Sequence, residues 1–336
     1  MKRLLAIIGC AILLALVCIQ LYSRFLNPDM KFFLRVAEAS DGWAEQIHAD
    51  ERPVYVLAGG SEARSGVNPQ IMLDEFELPL INAAESAGHG LRANANVAFQ
   101  YLKPGDTLIL SILSTDDINV PPSASGMKLN AYRMGARLFN SGLIEPSMRN
   151  AGNFLSSDMR SLFTLLTRYF GKAGRLYKYD EQTIVHPSGW MEVQYREMDN
   201  CIPGALPAAA ELPVLDESSL FIETLRKLQD HCREKNISLI ISIPVGCNDT
   251  SMKPQYAMKA LSITRHGIPV LKDERLGCLP VPTDFADTPA HLNAKAAAEN
   301  TRILGRLIKE KQYWTEQELL DTLQGMGYRA DGTPQQ

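Results

Sequence analysis

The chain has 336 residues, of which 46% are hydrophobic and 21% charged, with 34 Lys plus Arg against 38 Asp plus Glu. That composition excludes a mainly disordered chain, and the length lets it bury a core without disulfide or metal staples. A net charge of −4 gives no field that would gather phosphates, and no zinc-finger, RNP or basic-helix spacing is present, which argues against a nucleic-acid partner.

Met1-Lys2-Arg3 is followed by an unbroken apolar run from Leu4 to Ile19. A run of that length behind two cations predicts a single-pass segment over residues 1–30, with the N-terminus cytoplasmic and residues 31–336 extracytoplasmic. The exit through Gln20-Leu21-Tyr22-Ser23-Arg24-Phe25 lacks a small-x-small cleavage site, so the segment reads as an uncleaved inner-membrane anchor facing a periplasm-like compartment. Cys10 comes too early in the apolar stretch for a lipoprotein signal, Cys18 follows Leu16-Val17 rather than a small residue, and both read as lipid-facing.

Val54 to Ala58 is β-branched and aromatic, and Gly59-Gly60 stops it, as at the end of a buried strand. Leu78 to Ile81 reads as a second strand, ending at Asn82. Thr107 to Ile112, after the turn Lys103-Pro104-Gly105-Asp106, reads as a third. Helical spacing at Leu91, Ala95, Val97, Ala98 and Leu102 fills the gap between the last two. Strand and helix in alternation predict an α/β fold around a parallel sheet. The rhythm breaks over residues 115–213, which read as an inserted cap or subdomain carrying Tyr179, His186, Trp190 and Tyr195. Those four side chains could form a stacking surface for sugar rings or could pack the subdomain.

The alternation resumes with a helix from about Glu217 to Lys235, a strand over Ser238 to Pro244, a helix near Pro254 to Thr264 and a short strand at Ile268 to Leu271. A helix from after His291-Leu292-Asn293 to about Lys309 follows. Thr315-x-x-Glu318 is a capping box that opens a final helix. Outside the apolar N-terminus lie Cys201, Cys232, Cys247 and Cys278, which allow one or two disulfides in three full pairings, or four buried thiols. No pair is spaced C-x-x-C and no His stands at zinc-ligand spacing from a Cys, so no metal centre is expected.

Two segments carry candidate chemistry. A parallel sheet presents working residues in the loops at the carboxyl ends of its strands. The loop after the first strand is Gly59-Gly60-Ser61-Glu62-Ala63, where a serine behind two glycines could expose its hydroxyl. Near the other end, Asp284-Phe285-Ala286-Asp287-Thr288-Pro289-Ala290-His291 places a histidine at a helix entry, four residues after a carboxylate. A serine hydroxyl needs a base to take its proton, and the base needs a carboxylate to fix its tautomer. Ser61, His291 and Asp287 supply those types. Arg64 and His89 are candidate substrate contacts, with a surface ion pair and an exposed loop as the respective alternatives.

The Gly-x-Ser block after strand one, Asn82-Ala83-Ala84 with Gly88-His89-Gly90 after strand two, Pro104-Gly105-Asp106-Thr107 before strand three, and Asp287 with His291-Leu292-Asn293 resemble the SGNH (GDSL-like) hydrolase superfamily. Its membrane-anchored bacterial members, polysaccharide O-acetyltransferases and esterases, are the nearer likeness, over roughly residues 53 to 113 and 237 to 310. The resemblance implies a flavodoxin-like three-layer α/β/α sandwich, Ser61 as nucleophile, His291 as base and Asp287 as its orienter. It also implies an oxyanion hole from the N–H groups of Ser61 and of Gly88 or Ala84, completed by a block-three Asn. It implies no cofactor, an acyl-ester or carbohydrate substrate, and envelope polysaccharide assembly proteins as partners.

This chain departs from the pattern in three places. Gly-Gly-Ser replaces Gly-Asp-Ser. Asp287 and His291 stand one residue further apart than usual, so Asp284 or a backbone group could orient the histidine instead. Strand three is followed by Ser114 and, further on, Asn119, with no Asn at the expected place. The expected function is an extracytoplasmic serine esterase or O-acyltransferase. The alternative is an inactive relative that binds glycan or scaffolds an export complex.

Overall fold

The fold is built on four short strands whose residues are apolar on both faces, the pattern of a sheet covered on both sides. A computed structural model describes residues 2–25, 28–86, 90–112, 183–193 and 219–335. In chain order its first half comprises α1 (Lys2–Phe25), α2 (Pro28–His48), β1 (Tyr55–Ala58), α3 (Ser61–Gly66), α4 (Pro69–Phe76), β2 (Leu80–Asn82), α5 (Leu91–Ala98) and β3 (Thr107–Ser111). The rest comprises β4 (Thr183–Val185), β5 (Met191–Val193), α6 (Leu220–Glu234), β6 (Ser238–Ser242), α7 (Lys253–Arg265), α8 (Ala294–Lys309) and α9 (Glu316–Gly325).

The central sheet is parallel throughout, in the order β2-β1-β3-β6. In register, Tyr55 lies beside Leu80 on one side and Thr107 on the other, and Thr107 lies beside Ser238. The strand expected at Ile268 to Leu271 is reduced to a parallel bridge between Ile241 and Val270. Alternate side chains enter opposite cores. Val56, Ala58, Leu108, Leu110, Leu239 and Ile241 face a core with residues of α2, α5, α6, α7 and α9. Leu57, Ile109 and Ile240 face a second core, closed by Ala63, Met72, Leu304, Leu307 and Ile308 from α3, α4 and α8. The result is a mixed α/β fold with helices on both faces of a parallel sheet, compatible with a three-layer sandwich.

Local chemistry accounts for the helix boundaries. Asn68 accepts from Gln70 N at 2.9 Å with Pro69 at the first helical position, so α4 starts there; it ends at Glu77, which takes the left-handed conformation at φ 59°. Ser219 and Asn293 cap α6 and α8. The capping box at Thr315 and Glu318 is present with both of its hydrogen bonds.

Helix α2 has no counterpart among the elements expected from sequence. Its buried residues Phe32, Val36, Ser40, Trp43, Ala44 and Ile47 follow helical spacing. They cover the open edge of the sheet. Trp43 Nε1 donates to Leu80 O at 2.8 Å, satisfying a carbonyl of the edge strand β2 that no strand pairs. Phe32 and Val36 pack with Met191 of the β4–β5 hairpin, the described part of the expected insertion.

Among the described residues no helix is long and apolar enough to cross a membrane, so the crossing expected over residues 1–30 gains no support from the fold. Within α1, Ile7, Ile12, Leu13, Leu14, Leu21 and Phe25 are all exposed.

Of the cysteines, Cys247 is disulfide-bonded, while Cys232 and Cys278 are free and buried. Burial pushes their thiols up to about 12 and about 11 respectively. Cys201 lies outside the described residues.

Candidate functional site

The chain adds β2 on one side of β1 and β3, then β6, on the other, so the order of strands reverses between β1 and β3. A crevice opens outside the carboxyl ends of the strands at such a point. Ser61 follows β1 immediately, as the first residue of α3 after the extended residue Gly60, and is partly exposed. Gly59 owes its identity to a close approach. A Cβ on it would lie 2.8 Å from Ser111 Cβ and 3.0 Å from Ala63 Cβ, so only glycine lets β1 exit beside the end of β3.

Helix α3 has six residues, too few to stand alone, and side chains from elsewhere take its carbonyls. Asn82 Nδ2 lies 3.1 Å from Ala63 O, 3.3 Å from Arg64 O and 3.0 Å from Val67 O. Trp190 Nε1 donates to Ser65 O at 2.8 Å, and Asn300 Nδ2 to Gly66 O at 2.9 Å. Ser65 Oγ donates back to Ser61 O at 2.9 Å. At the amino end the buried Glu62 carboxylate accepts from Gly60 N at 2.9 Å.

Asp287 and His291 sit in the turn between a single 3-10 turn (Pro282–Asp284) and α8. The turn is pinned by a bridge between Phe285 and Leu292, by Ala286 N donating to His291 O at 2.8 Å, and by Cys247 N donating to Pro289 O at 2.7 Å. His291 Nδ1 lies 2.7 Å from Asp287 Oδ1. An ionised carboxylate can only accept, so the proton of this bond sits on Nδ1, and in the neutral imidazole that leaves the lone pair on Nε2. The His291 side chain is 8% exposed and that of Asp287 19%. Of the orienters considered, Asp287 is therefore the one in contact; Asp284 joins the turn through its carbonyl, which accepts from Asn293 N at 2.9 Å.

The serine helix and the histidine turn meet through α8. A Cβ on Gly66 would stand 3.7 Å from Leu292 Cδ1, and Asn68 N donates to Thr301 Oγ1 at 2.9 Å. Between them lies a cavity of about 20 Å³, room for a single water. Its polar lining includes Glu62 of α3, Ser111 and Ser242 at the ends of β3 and β6, Asn300 of α8 and Arg275 of the turn that follows Asp273, while Ser61, Asp287 and His291 lie outside that lining. Arg275 is held by Asp273 at 2.6 Å and donates to Asn300 Oδ1 at 2.7 Å.

The other expected residues fare differently. Ala84 is fully buried, and its N–H donates to Asn82 Oδ1 at 3.2 Å, so that donor is already engaged and does not offer itself to an oxyanion. Arg64 is neither a surface residue nor exposed for a substrate, at 2% exposure. Its Nη1 donates to Ser40 Oγ at 2.9 Å, Asn82 O at 2.6 Å and Gly189 O at 3.0 Å, which ties α2, β2 and the β4–β5 hairpin together. Trp190 is buried against Phe285, Leu292 and Ala296 rather than presented as a stacking platform, and His186 stacks on it with 4.6 Å between ring centres. Gly88, His89, Ser114, Asn119, Tyr179 and Tyr195 lie outside the described residues.

Three residues that hold the site had no role in the sequence reading. Glu62 and Asn82 stand inside the segments read as motifs, but a carboxylate folded onto a backbone N–H two residues back has no spacing signature. Asn300 carried a signal, because asparagine is a poor helix former in the interior of a helix.

Family models, curated proteins and solved structures were compared with this chain, and none matches it.

Proposed function

We propose that this chain is an extracytoplasmic serine esterase or O-acyltransferase of SGNH type, with a flavodoxin-like core, acting on acyl esters of a cell-envelope carbohydrate. The observation that carries the reading is the 2.7 Å hydrogen bond between Asp287 and His291 in a partly buried turn whose Leu292 packs on the helix that Ser61 opens. In this reading Asp287 holds the imidazole with Nε2 unprotonated. Nε2 takes the proton of Ser61 Oγ as that oxygen bonds to the ester carbonyl carbon. The Ser61 N–H receives charge developing on the carbonyl oxygen, and the leaving alkoxide departs with the proton from His291. Water or a sugar hydroxyl, deprotonated by the same nitrogen, then bonds to the acyl carbon, and Ser61 Oγ leaves with the proton that Nε2 returns to it. The exposed apolar side chains of α1 support association of the N-terminus with a lipid membrane, and the disulfide at Cys247 supports an oxidising compartment.

A second reading is a non-catalytic glycan-binding or export-complex scaffold of the same fold. The engaged Ala84 N–H favours it, because losing one oxyanion donor costs roughly 100- to 1000-fold in turnover.

The test is intact-mass analysis of the full-length chain in detergent, before and after a fluorophosphonate. The esterase reading expects one adduct on Ser61, absent in Ser61→Ala and His291→Ala, and slowed roughly 1000-fold or more in Asp287→Asn. A folded protein that takes no adduct, or one whose adduct survives Ser61→Ala, overturns it and sends the work to glycan binding.

A further inference from the structure

The carboxyl end of α3 is held by donors from three separate elements, and one of them also touches the histidine turn. Trp190 lies in the β4–β5 hairpin, apart from both motifs in sequence. Its indole N–H reaches Ser65 O at 2.8 Å, while its ring lies in the same buried cluster as Phe285 and Leu292, the two residues whose bridge closes the turn bearing Asp287 and His291.

The hairpin that carries it is fixed in its own right. Gly189 takes φ +75°, and a Cβ there would overlap Ser40 Oγ, so the tip sits directly on α2. Its carbonyl accepts from Arg64, one residue before Ser65. His186 stacks on the indole at 30° and is bonded through Nε2 to Glu192 Oε2 at 2.8 Å. The ring therefore has little freedom to shift between α3 and the turn.

We propose that Trp190 is a positioning residue, through which the inserted hairpin sets the direction of Ser61 relative to His291. The inference rests on the esterase reading. A six-residue helix has no rigidity of its own, so the direction of its first residue follows from where its last carbonyls are tied. Asn82 and Asn300 tie α3 to β2 and α8. Trp190 ties α3 to the buried cluster that contains Phe285 and Leu292, beside the base. Removing its N–H leaves the buried Ser65 carbonyl without that donor and lets α3 tilt, while the apolar contact with the turn can survive.

The test uses the full-length chain in detergent and follows fluorophosphonate labelling of Ser61 by mass in wild type, Trp190→Phe and Trp190→Ala, beside their unfolding midpoints. Phenylalanine keeps an apolar ring and loses the donor. Positioning lowers the rate constant with labelling still running to completion. A purely structural part in folding lowers the final extent and leaves the rate constant of the labelled fraction unchanged. The expectation is a roughly 10-fold slower rate in Trp190→Phe and roughly 100-fold in Trp190→Ala, both at full extent, as misalignment of a nucleophile by a fraction of an ångström to an ångström produces. The slowing should fall on the maximal inactivation rate and not on the half-saturating probe concentration. A wild-type rate constant in Trp190→Phe, whatever its extent, overturns the inference while leaving the esterase reading standing. Absence of Ser61 labelling in wild type overturns both.

Discussion

Replacing Arg64 by methionine tests whether the covered edge of the sheet depends on one buried guanidinium. Arg64 Nη1 supplies Asn82 O at 2.6 Å and Gly189 O at 3.0 Å, both in the interior. A buried acceptor left without its donor costs about 1–3 kcal/mol, so the two together cost about 2–6 kcal/mol. Ser40 Oγ keeps its bond to Val36 O at 3.1 Å and lies 3.4 Å from Asn82 O, so it adds little to the loss and partly relieves it. The thioether recovers some apolar burial, which brings the net toward the lower half of that range. At about 2.1 cal/mol/K of unfolding entropy per residue, 336 residues give roughly 1.4 °C per kcal/mol, so a loss of about 2–4 kcal/mol lowers the midpoint by about 3–6 °C. Differential scanning calorimetry of the full-length chain reads it directly. Arg64→Lys, whose single ammonium can serve only part of the set, should fall between the two. Because Gly189 O belongs to the hairpin, proteolysis should also cut residues 183–193 sooner in the methionine variant. A midpoint within about 1 °C of wild type would mean that the three contacts carry no net stability.

Burial raises the Cys232, Cys278, Tyr55 and Tyr313 groups above their ordinary values, so each stabilises the fold below its unfolded pKa and loses that contribution as pH rises through the folded one. Stability should therefore fall from about pH 9 toward pH 12, by up to about 4 kcal/mol for Cys232, as thermal melts across that range would register. At pH 8 both thiols should resist iodoacetamide in the native chain and react on unfolding; native alkylation of Cys232 would contradict its environment. Reducing the disulfide at Cys247 should lower the midpoint by several degrees and slow Ser61 labelling, because Cys247 N holds Pro289 O two residues before the base; unchanged melts under thiol would refute that link. The exposed apolar side chains of α1 predict that the full-length chain stays with membranes through an alkaline wash and that removal of residues 1–25 releases it; equal partitioning would refute the association.

The central strands were legible because burial on both faces leaves an apolar run that helices cannot imitate at that length. Their limits shifted by a residue or two, with Asn82 inside β2 rather than after it, since its side chain turns inward to hold α3. Helix α2 was passed over although Phe32, Val36, Ser40, Trp43 and Ile47 mark its buried stripe, because Ser40, Asp41 and Gly42 break its apolar character. The pairing of Asp287 with His291 was readable from residue types four positions apart. Nothing local told that the turn would bend enough for that spacing. Arg64 looked like a surface cation because the acceptors that bury it come from α2, β2 and a hairpin far along the chain. The part Trp190 plays under α3 lay beyond reach for the same reason, as contacts of high sequence separation leave no periodic trace.

Strand β3 ends at Ser111 and its neighbour β6 begins at Ser238, with the whole insertion between them. Closing a loop of that length costs only about 0.6 kcal/mol more than closing one half as long, so the final stability hardly registers it. The order of events does. Strands β1, β2 and β3 can find one another early, from nearby segments, but Leu108 and Leu110 stay uncovered on one side until Leu239 and Ile241 arrive. A chain emerging from its N-terminus thus carries a half-built sheet with an open apolar edge through a long interval, and it is during that interval that a chaperone, or a stray strand from another copy, would find something to hold.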